Sequence, residues 1–185
     1  MSDVHARPRV RRRRSRLAPG VAVRTSLIEG RGLFAARRFA AGEVVAVLGG
    51  RVVDDQAFGA LARREASVSA AAIEEGWHLV QEDDDPLRFG NHSCDPNLWL
   101  VDEVTLVARR AIAADEEITS DYATMTVDPT WRMPCRCGAE ACRGVVTGRD
   151  WEDPEVQHRY AGHFVPFLGR RIARRNPGPP PAGGG

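Results

Sequence analysis

Three cysteines crowd into the segment Cys135-Arg-Cys-Gly-Ala-Glu-Ala-Cys142, and the chain holds only one other, Cys94. A tetrahedral zinc ion takes four ligands, and the C-x-C-x4-C loop supplies three thiolates. If Cys94 is the fourth, the segment around residue 94 must lie against the 135–142 loop, which excludes any fold that keeps those stretches apart. Such a site has no open position for water, so its role would be structural. The residues alone leave two alternatives: a redox pair at Cys135 and Cys137, or inert buried thiols. No apolar run approaches the roughly 18 residues of a membrane span, and the N-terminus lacks the apolar core of a signal peptide. An intracellular, cytoplasmic and reducing setting is therefore expected. There, closely spaced cysteines point to a metal rather than to disulfides.

With 185 residues, 43% of them hydrophobic, the chain suits one globular domain with tails. Short strands are expected over 21–28, 33–39 and 43–48, separated by the turns Glu29-Gly-Arg-Gly32 and Ala40-Ala-Gly42. Residues 54–72 are alanine-rich with Phe58, Leu61 and Ala62 at helical spacing, so one or two helices are expected there. Strand patterns resume over 77–81, 98–101, 105–109 and 117–122, with a hairpin across Asp102-Glu103. From Asp153 the pattern turns helical, with Pro154 in the first turn and Gln157, Tyr160, Phe164 and Phe167 as a packing face. The fold class expected is mainly β with short helices.

The formal charge is only +1, but seven arginines, Arg7, Arg9, Arg11 to Arg14 and Arg16, fall in the first 19 residues. Residues 1–19 are expected to form an unstructured Arg-rich arm, a solubilising tail with a possible weak nucleic-acid contact. Residues 176–185 read as a Pro/Gly tail. The acidic loop Glu82-Asp-Asp-Asp-Pro86 reads as a solvated turn, or as a docking edge for a basic segment. All 26 basic residues are arginine, so an enzyme acting on lysine would find no side chain of its own to modify.

The densest run of functional residues is Arg88-Phe-Gly-Asn-His-Ser-Cys-Asp-Pro-Asn97. It resembles the RFxNHSCDPN signature of the SET-domain protein-lysine methyltransferases. Gly30-Arg-Gly-Leu-Phe34, Glu116-Glu-Ile-Thr-Ser-Asp-Tyr122, the cysteine loop and Arg143-Gly144 extend the resemblance over roughly residues 20–146. The resemblance implies a β-clip SET fold with a pseudoknot over residues 20–126, a post-SET zinc element over 127–146 and a helical extension over 147–175. It further implies an enzyme that uses S-adenosylmethionine to methylate lysine in a protein substrate, while the lysine-free, GC-rich composition and minimal architecture suggest a small bacterial-type protein, expected to be a monomer away from membranes. Tyr122 would be catalytic, and Arg31, Gly32, Leu33, Asn91 and His92, with Tyr122, would bind the cofactor. Cys94, Cys135, Cys137 and Cys142 would hold zinc.

The chain departs from the family at several points. Ser120 stands where an aromatic commonly precedes the Asp-Tyr pair, which should widen the acceptor channel to mono-, di- and trimethyl lysine. No tyrosine occurs between residues 60 and 90, and Trp77 is expected to stand in for the second pocket tyrosine. Gly90 replaces a larger apolar residue. Val145 and Val146 replace the aromatic beyond the last cysteine, a place Trp131 or Trp151 could fill. These departures motivate two alternatives, a SET-like binding module without catalysis and a methyltransferase with a non-lysine acceptor.

Overall fold

The computed structural model describes Pro8 and residues 14–65 and 68–176. Its strands are β1 (Arg16–Leu17), β2 (Val21–Thr25), β3 (Arg31–Ala35), β4 (Val44–Val47), β5 (Arg51–Asp54), β6 (Ala70–Glu74) and β7 (Trp77–Val80). They continue with β8 (Asn91–His92), β9 (Leu98–Leu100), β10 (Thr105–Ala108), β11 (Glu117–Ser120), β12 (Arg132–Pro134) and β13 (Val145–Thr147). Among the described residues three α-helices accompany them: α1 (Asp55–Arg64), α2 (Pro154–Arg159) and α3 (Pro166–Arg175). The strands form small sheets in the orders β1-β4-β10-β9, β2-β3-β11-β8 and β5-β7-β6, with β12 and β13 as a hairpin. All pairings are antiparallel except β8 with β11. Apolar side chains of Leu33, Phe39, Val45, Leu79, Leu100 and Ile118 meet in one core, which α2 closes with Val156, the connection after it with Tyr160, and α3 with Phe167 and Leu168. Among the described residues no helix is long and apolar enough to cross a membrane.

The expected strands appear, most of them shortened at their ends, but β3 begins at Arg31, so Arg31 and Gly32 of the expected turn belong to the strand and pair with β2. The helical reading of residues 54–72 holds only for its first half. Asp54 caps α1 by accepting the Ala57 N–H at 2.8 Å, but Ala70–Glu74 is a strand paired with β7. Its Ala71, Ala72 and Ile73 are buried, and burial against a neighbouring strand overrides alanine's helical preference. At the C-terminal end, Pro154 does open a helix after the Asp153 cap. That helix ends at Arg159, and Tyr160 and Phe164 enter the core from the connection to α3.

The arm expected over residues 1–19 is shorter where the chain is described. Ser15 donates its N–H to Asp85 at 2.7 Å and accepts the Gly49 N–H at 2.9 Å, and β1 pairs with β4. Arg14 forms an ion pair with Asp84. The acidic loop is therefore only partly solvated, since Asp85 is fully buried and caps the turn at Leu87. The Arg-rich residues before Arg14 and the tail from Pro177 lie outside the described residues.

The segment Ser93–Asn97 is stitched to β11 by one side chain. Asn97 Nδ2 donates to Glu116 Oε1 at 2.9 Å and to the Glu117 carbonyl at 2.8 Å, while its Oδ1 accepts the Thr119 N–H at 2.9 Å. Asn97 is only 2% exposed, so replacing it strands partners that water cannot reach. Asn97→Ala should cost about 2–4 kcal/mol of folding free energy. Urea unfolding measures this, and an unchanged midpoint would show that Asn97 does not hold this crossing.

Candidate active site and four-thiol centre

The site is built where β8 runs parallel to β11, Asn91 opposite Thr119 and His92 opposite Ser120. Two residues beyond β11, the chain enters a short 3-10 turn, Tyr122–Thr124. The Tyr122 hydroxyl donates to the Gly90 carbonyl at 2.7 Å, and its backbone N–H donates to His92 Nδ1 at 3.2 Å. The two rings sit 5.2 Å apart. Burial pushes the Tyr122 phenol up to about 12, so the hydroxyl remains protonated at neutral pH.

Asn91 lies amid an excess of acceptors. Its Nδ2 is within 3.2 Å of Ser26 Oγ, the Glu29 and Arg31 carbonyls and Glu117 Oε1. Two hydrogens cannot serve four acceptors at once. Gly30 takes a left-handed φ of 46° to turn the chain here. At Gly32 a Cβ would collide with Glu117 Oε1, so a larger residue would have to displace that carboxylate from Ser26 and Asn91. Glu117 lies inside the motif that ends at Tyr122, whereas Ser26 carries no sequence signal of its own.

Of the residues expected at the cofactor, Asn91, His92, Leu33 and Tyr122 line a single cleft of about 560 Å³, within the ~300–1,000 Å³ usual for small-molecule sites. Arg31 and Gly32 are committed to the β2–β3 ladder, and the Arg31 guanidinium lies over the Phe89 ring, 4.3 Å from its centroid. The loop before them reaches the cleft instead, through Ile28 and Glu29. The His92 ring is 3% exposed, and both of its nitrogens are engaged within the protein. Burial lowers its pKa to about 4, so the ring is neutral. Because Nδ1 accepts from Tyr122, Nε2 carries the proton and points it at Cys94 Sγ, 3.3 Å away.

Trp77 does not reach the cleft. It lies on the β5-β7-β6 sheet, packed against the core, and Phe58 of α1 lines the cleft in its place, stacked on His78 at 4.1 Å. Trp131 also lines the cleft, its ring 6.2 Å from that of Tyr122. Trp151, the other tryptophan considered, is buried in the core.

Cys94, Cys135, Cys137 and Cys142 converge, their sulfurs all within 4.8 Å of one another. No disulfide joins them. The Cys94 and Cys135 sulfurs are 3.8 Å apart, and metal–sulfur bonds of ~2.3 Å in a tetrahedron put sulfurs about 3.8 Å apart. Backbone N–H groups of Cys94, Arg143 and Gly144 point at Cys137, Cys94 and Cys142 at 3.4–3.5 Å, the pattern that supports thiolate charge. Burial raises Cys94 to about 11. At Cys137, burial is outweighed by hydrogen bonds from the Cys94 and Ala139 backbone, which bring it down to about 6. The donor set fits one soft, tetrahedral dication and leaves no ligand position open.

The SET domain profile matches residues 30–123. The histone-lysine N-methyltransferase ash1 of Drosophila melanogaster is 44% identical over 69 residues, 34% of this chain and 3% of that protein. Human histone-lysine N-methyltransferase 2B is 33% identical over 140 residues, 66% of this chain and 5% of that protein. The histone H3-lysine(4) N-trimethyltransferase ATX1 of Arabidopsis thaliana is 30% identical over 170 residues, 83% of this chain and 15% of that protein. The chain thus spans only a small fraction of the length of these relatives. They come from eukaryotes and lend nothing to the bacterial setting that composition suggested. The crystal structure of the methyltransferase domain of human SETMAR superposes with a TM-score of 0.52 at 24% identity, covering 66% of this chain and 55% of that one, a likeness of fold. The profile match, the relatives and the shared fold agree: this chain belongs to the SET-domain family.

Proposed function

We propose that this protein is an S-adenosylmethionine-dependent methyltransferase acting on lysine side chains of a protein substrate, with histones, named for its relatives, as the first class to test. The carrying observation is the meeting of a half-buried Tyr122, its phenol held protonated, and the acceptor-ringed Asn91 on one cleft. S-adenosylmethionine, when bound, supplies a sulfonium-activated methyl group to an attacking amine. Tyr122 orients that amine, since alignment and water exclusion are what an in-line displacement asks of the protein. The apolar lining around Leu33, Phe58 and Met125 favours the uncharged amine, the form with a free lone pair. Asn91 Nδ2 has two hydrogens for four nearby acceptors on Ser26, Glu29, Arg31 and Glu117. Ser26 Oγ itself donates to the Glu117 carboxylate, so the surplus lies in that carboxylate's charge and in the Glu29 and Arg31 carbonyls, and this wall suits the ammonium of the cofactor's amino-acid part. Ser120 leaves the acceptor channel wide, consistent with more than one methyl transfer. The four thiols hold one structural zinc ion. The Arg-rich residues before Arg14 add a weak nucleic-acid contact to a monomeric enzyme.

Labelled cofactor in a proteome or histone-peptide mixture should place methyl groups on lysine. Cofactor binding without transfer would favour the binding-module alternative, to which Ser120 and the missing second tyrosine point. Tyr122→Phe should lower kcat by about 100-fold or more with cofactor Kd changed only a few-fold, and full turnover would remove its role. The sign of the pH dependence follows from burial. The phenol stays protonated while lysine, at a pKa of ~10.4, loses its proton, so kcat/KM should climb with pH and show no falling limb below about pH 11. A limb descending near pH 9 would contradict that burial.

Metal analysis should find one zinc per chain, absent from Cys94→Ser. A metal-free wild type would end the zinc assignment. Deleting residues 1–13, which spares β1, should weaken DNA retention at low salt, and unchanged retention would end the nucleic-acid proposal.

A further inference from the structure

We propose that Arg143 is a positioning residue that couples the cysteine loop to Tyr122. This rests on the function proposed above. Arg143 directly follows Cys142, and its own backbone N–H donates to Cys94 Sγ at 3.4 Å. Its guanidinium then forks onto Asp121, Nη1 to Oδ2 at 2.8 Å and Nη2 to Oδ1 at 2.7 Å, with Nε 3.0 Å from Asp150 Oδ2. The Asp121 side chain is 0% exposed and that of Arg143 is 17% exposed. Among the described residues, Arg143 is the one permanently charged cation in ion-pair range of Asp121; His92, at 3.6 Å, is neutral.

Asp121 has a second task. Its Oδ1 accepts the Ala123 N–H at 3.0 Å and its carbonyl accepts the Thr124 hydroxyl at 2.8 Å, which caps the turn that carries Tyr122. One carboxylate therefore both shapes the Tyr122 turn and depends on a guanidinium delivered by the cysteine loop. A buried carboxylate that loses its cation must take up a proton or move toward water. Either change alters the cap and swings the phenol away from its 2.7 Å contact with Gly90. A misplacement of ~1 Å costs about 100-fold in an alignment-limited reaction. The cysteine loop, whose Cys135 and Arg136 line the cleft wall, thus also reaches the Tyr122 turn through the charge and geometry of Arg143. Lysine would be a poor substitute, because it presents a point charge where Asp121 receives a planar fork.

The test uses the zinc-loaded full chain with 3-fluorotyrosine. There are only two tyrosines, Tyr122 and Tyr160, so two fluorine resonances appear and Tyr160→Phe assigns them. Arg143→Met should keep one zinc per chain and a cofactor Kd within about threefold. Its Tyr122 resonance should shift or broaden, and kcat should fall about 30- to 100-fold with little change in peptide KM. Arg143→Lys should recover part of both. Asp121→Asn combined with Arg143→Met should be no worse than Arg143→Met alone, since neither member is then left charged and unpaired. An unmoved Tyr122 resonance and intact kcat in zinc-loaded Arg143→Met would overturn the proposal. So would joint loss of zinc, cofactor binding and activity, the mark of a purely structural pair. If Arg143→Met does not fold, Arg143→Lys carries the same readouts, with wild-type values overturning the proposal. Should the wild type transfer no methyl group, the proposed function fails by itself, while the fluorine resonance still decides whether Arg143 positions Tyr122.

Discussion

Two residue pairs of parallel ladder, Asn91 with Thr119 and His92 with Ser120, determine where every other part of the site stands. Parallel pairing fixes direction as well as register. Whatever follows His92 must travel the same way as whatever follows Ser120. Cys94 and Tyr122, each two residues beyond its strand, are thereby carried to neighbouring positions. His92 spans the gap between them, accepting from the Tyr122 backbone and donating to the Cys94 sulfur. A one-residue slip in this ladder would turn His92 outward and separate the phenol from the thiols.

So short a ladder has little stability of its own, and the molecule secures it from several sides. Asn97 ties the outgoing chain back to β11. On the far side of Cys94, Arg159 donates to its carbonyl at 2.7 Å, so α2 braces the same segment. The four thiols bring in a third support from the 135–142 loop. Each support comes from a different part of the chain. The cleft is therefore a product of the whole domain, and the helices after residue 150 belong to it as much as the strands before.

Polar satisfaction explains which residues remain free for ligands. The His92 ring and the Gly32 backbone carry strong binding groups on paper, but both have partners within the fold. What stays open is the acceptor surplus around Asn91 and the cleft face of Tyr122. The contrast between Trp131 and Trp151 follows similar logic. Trp151 donates its indole N–H to the Gly148 carbonyl at 3.1 Å and is buried, whereas Trp131 stands at the start of the β12–β13 hairpin and faces the cleft.

The sequence by itself determined the chemistry available and much of its grouping. Cysteine count and spacing required Cys94 to meet a distant loop if one metal was to be held. The run from Arg88 to Asn97 and the motif ending at Tyr122 named the residues that line the cleft. Turn chemistry and strand periodicity marked most β elements because those signals are local. Only the tertiary structure decided the rest. Ala70–Glu74 became a strand because β7 was there to pair with it, against its composition. Ser26 and Glu117 joined Asn91 because β2, β3, β11 and β8 lie side by side in one sheet, a relation no local pattern carries. Arg143 found Asp121 across 22 residues because the cysteine loop folds back over the Tyr122 turn. Local signals specify what a residue can do, and long-range packing decides which partner is close enough for it to do so.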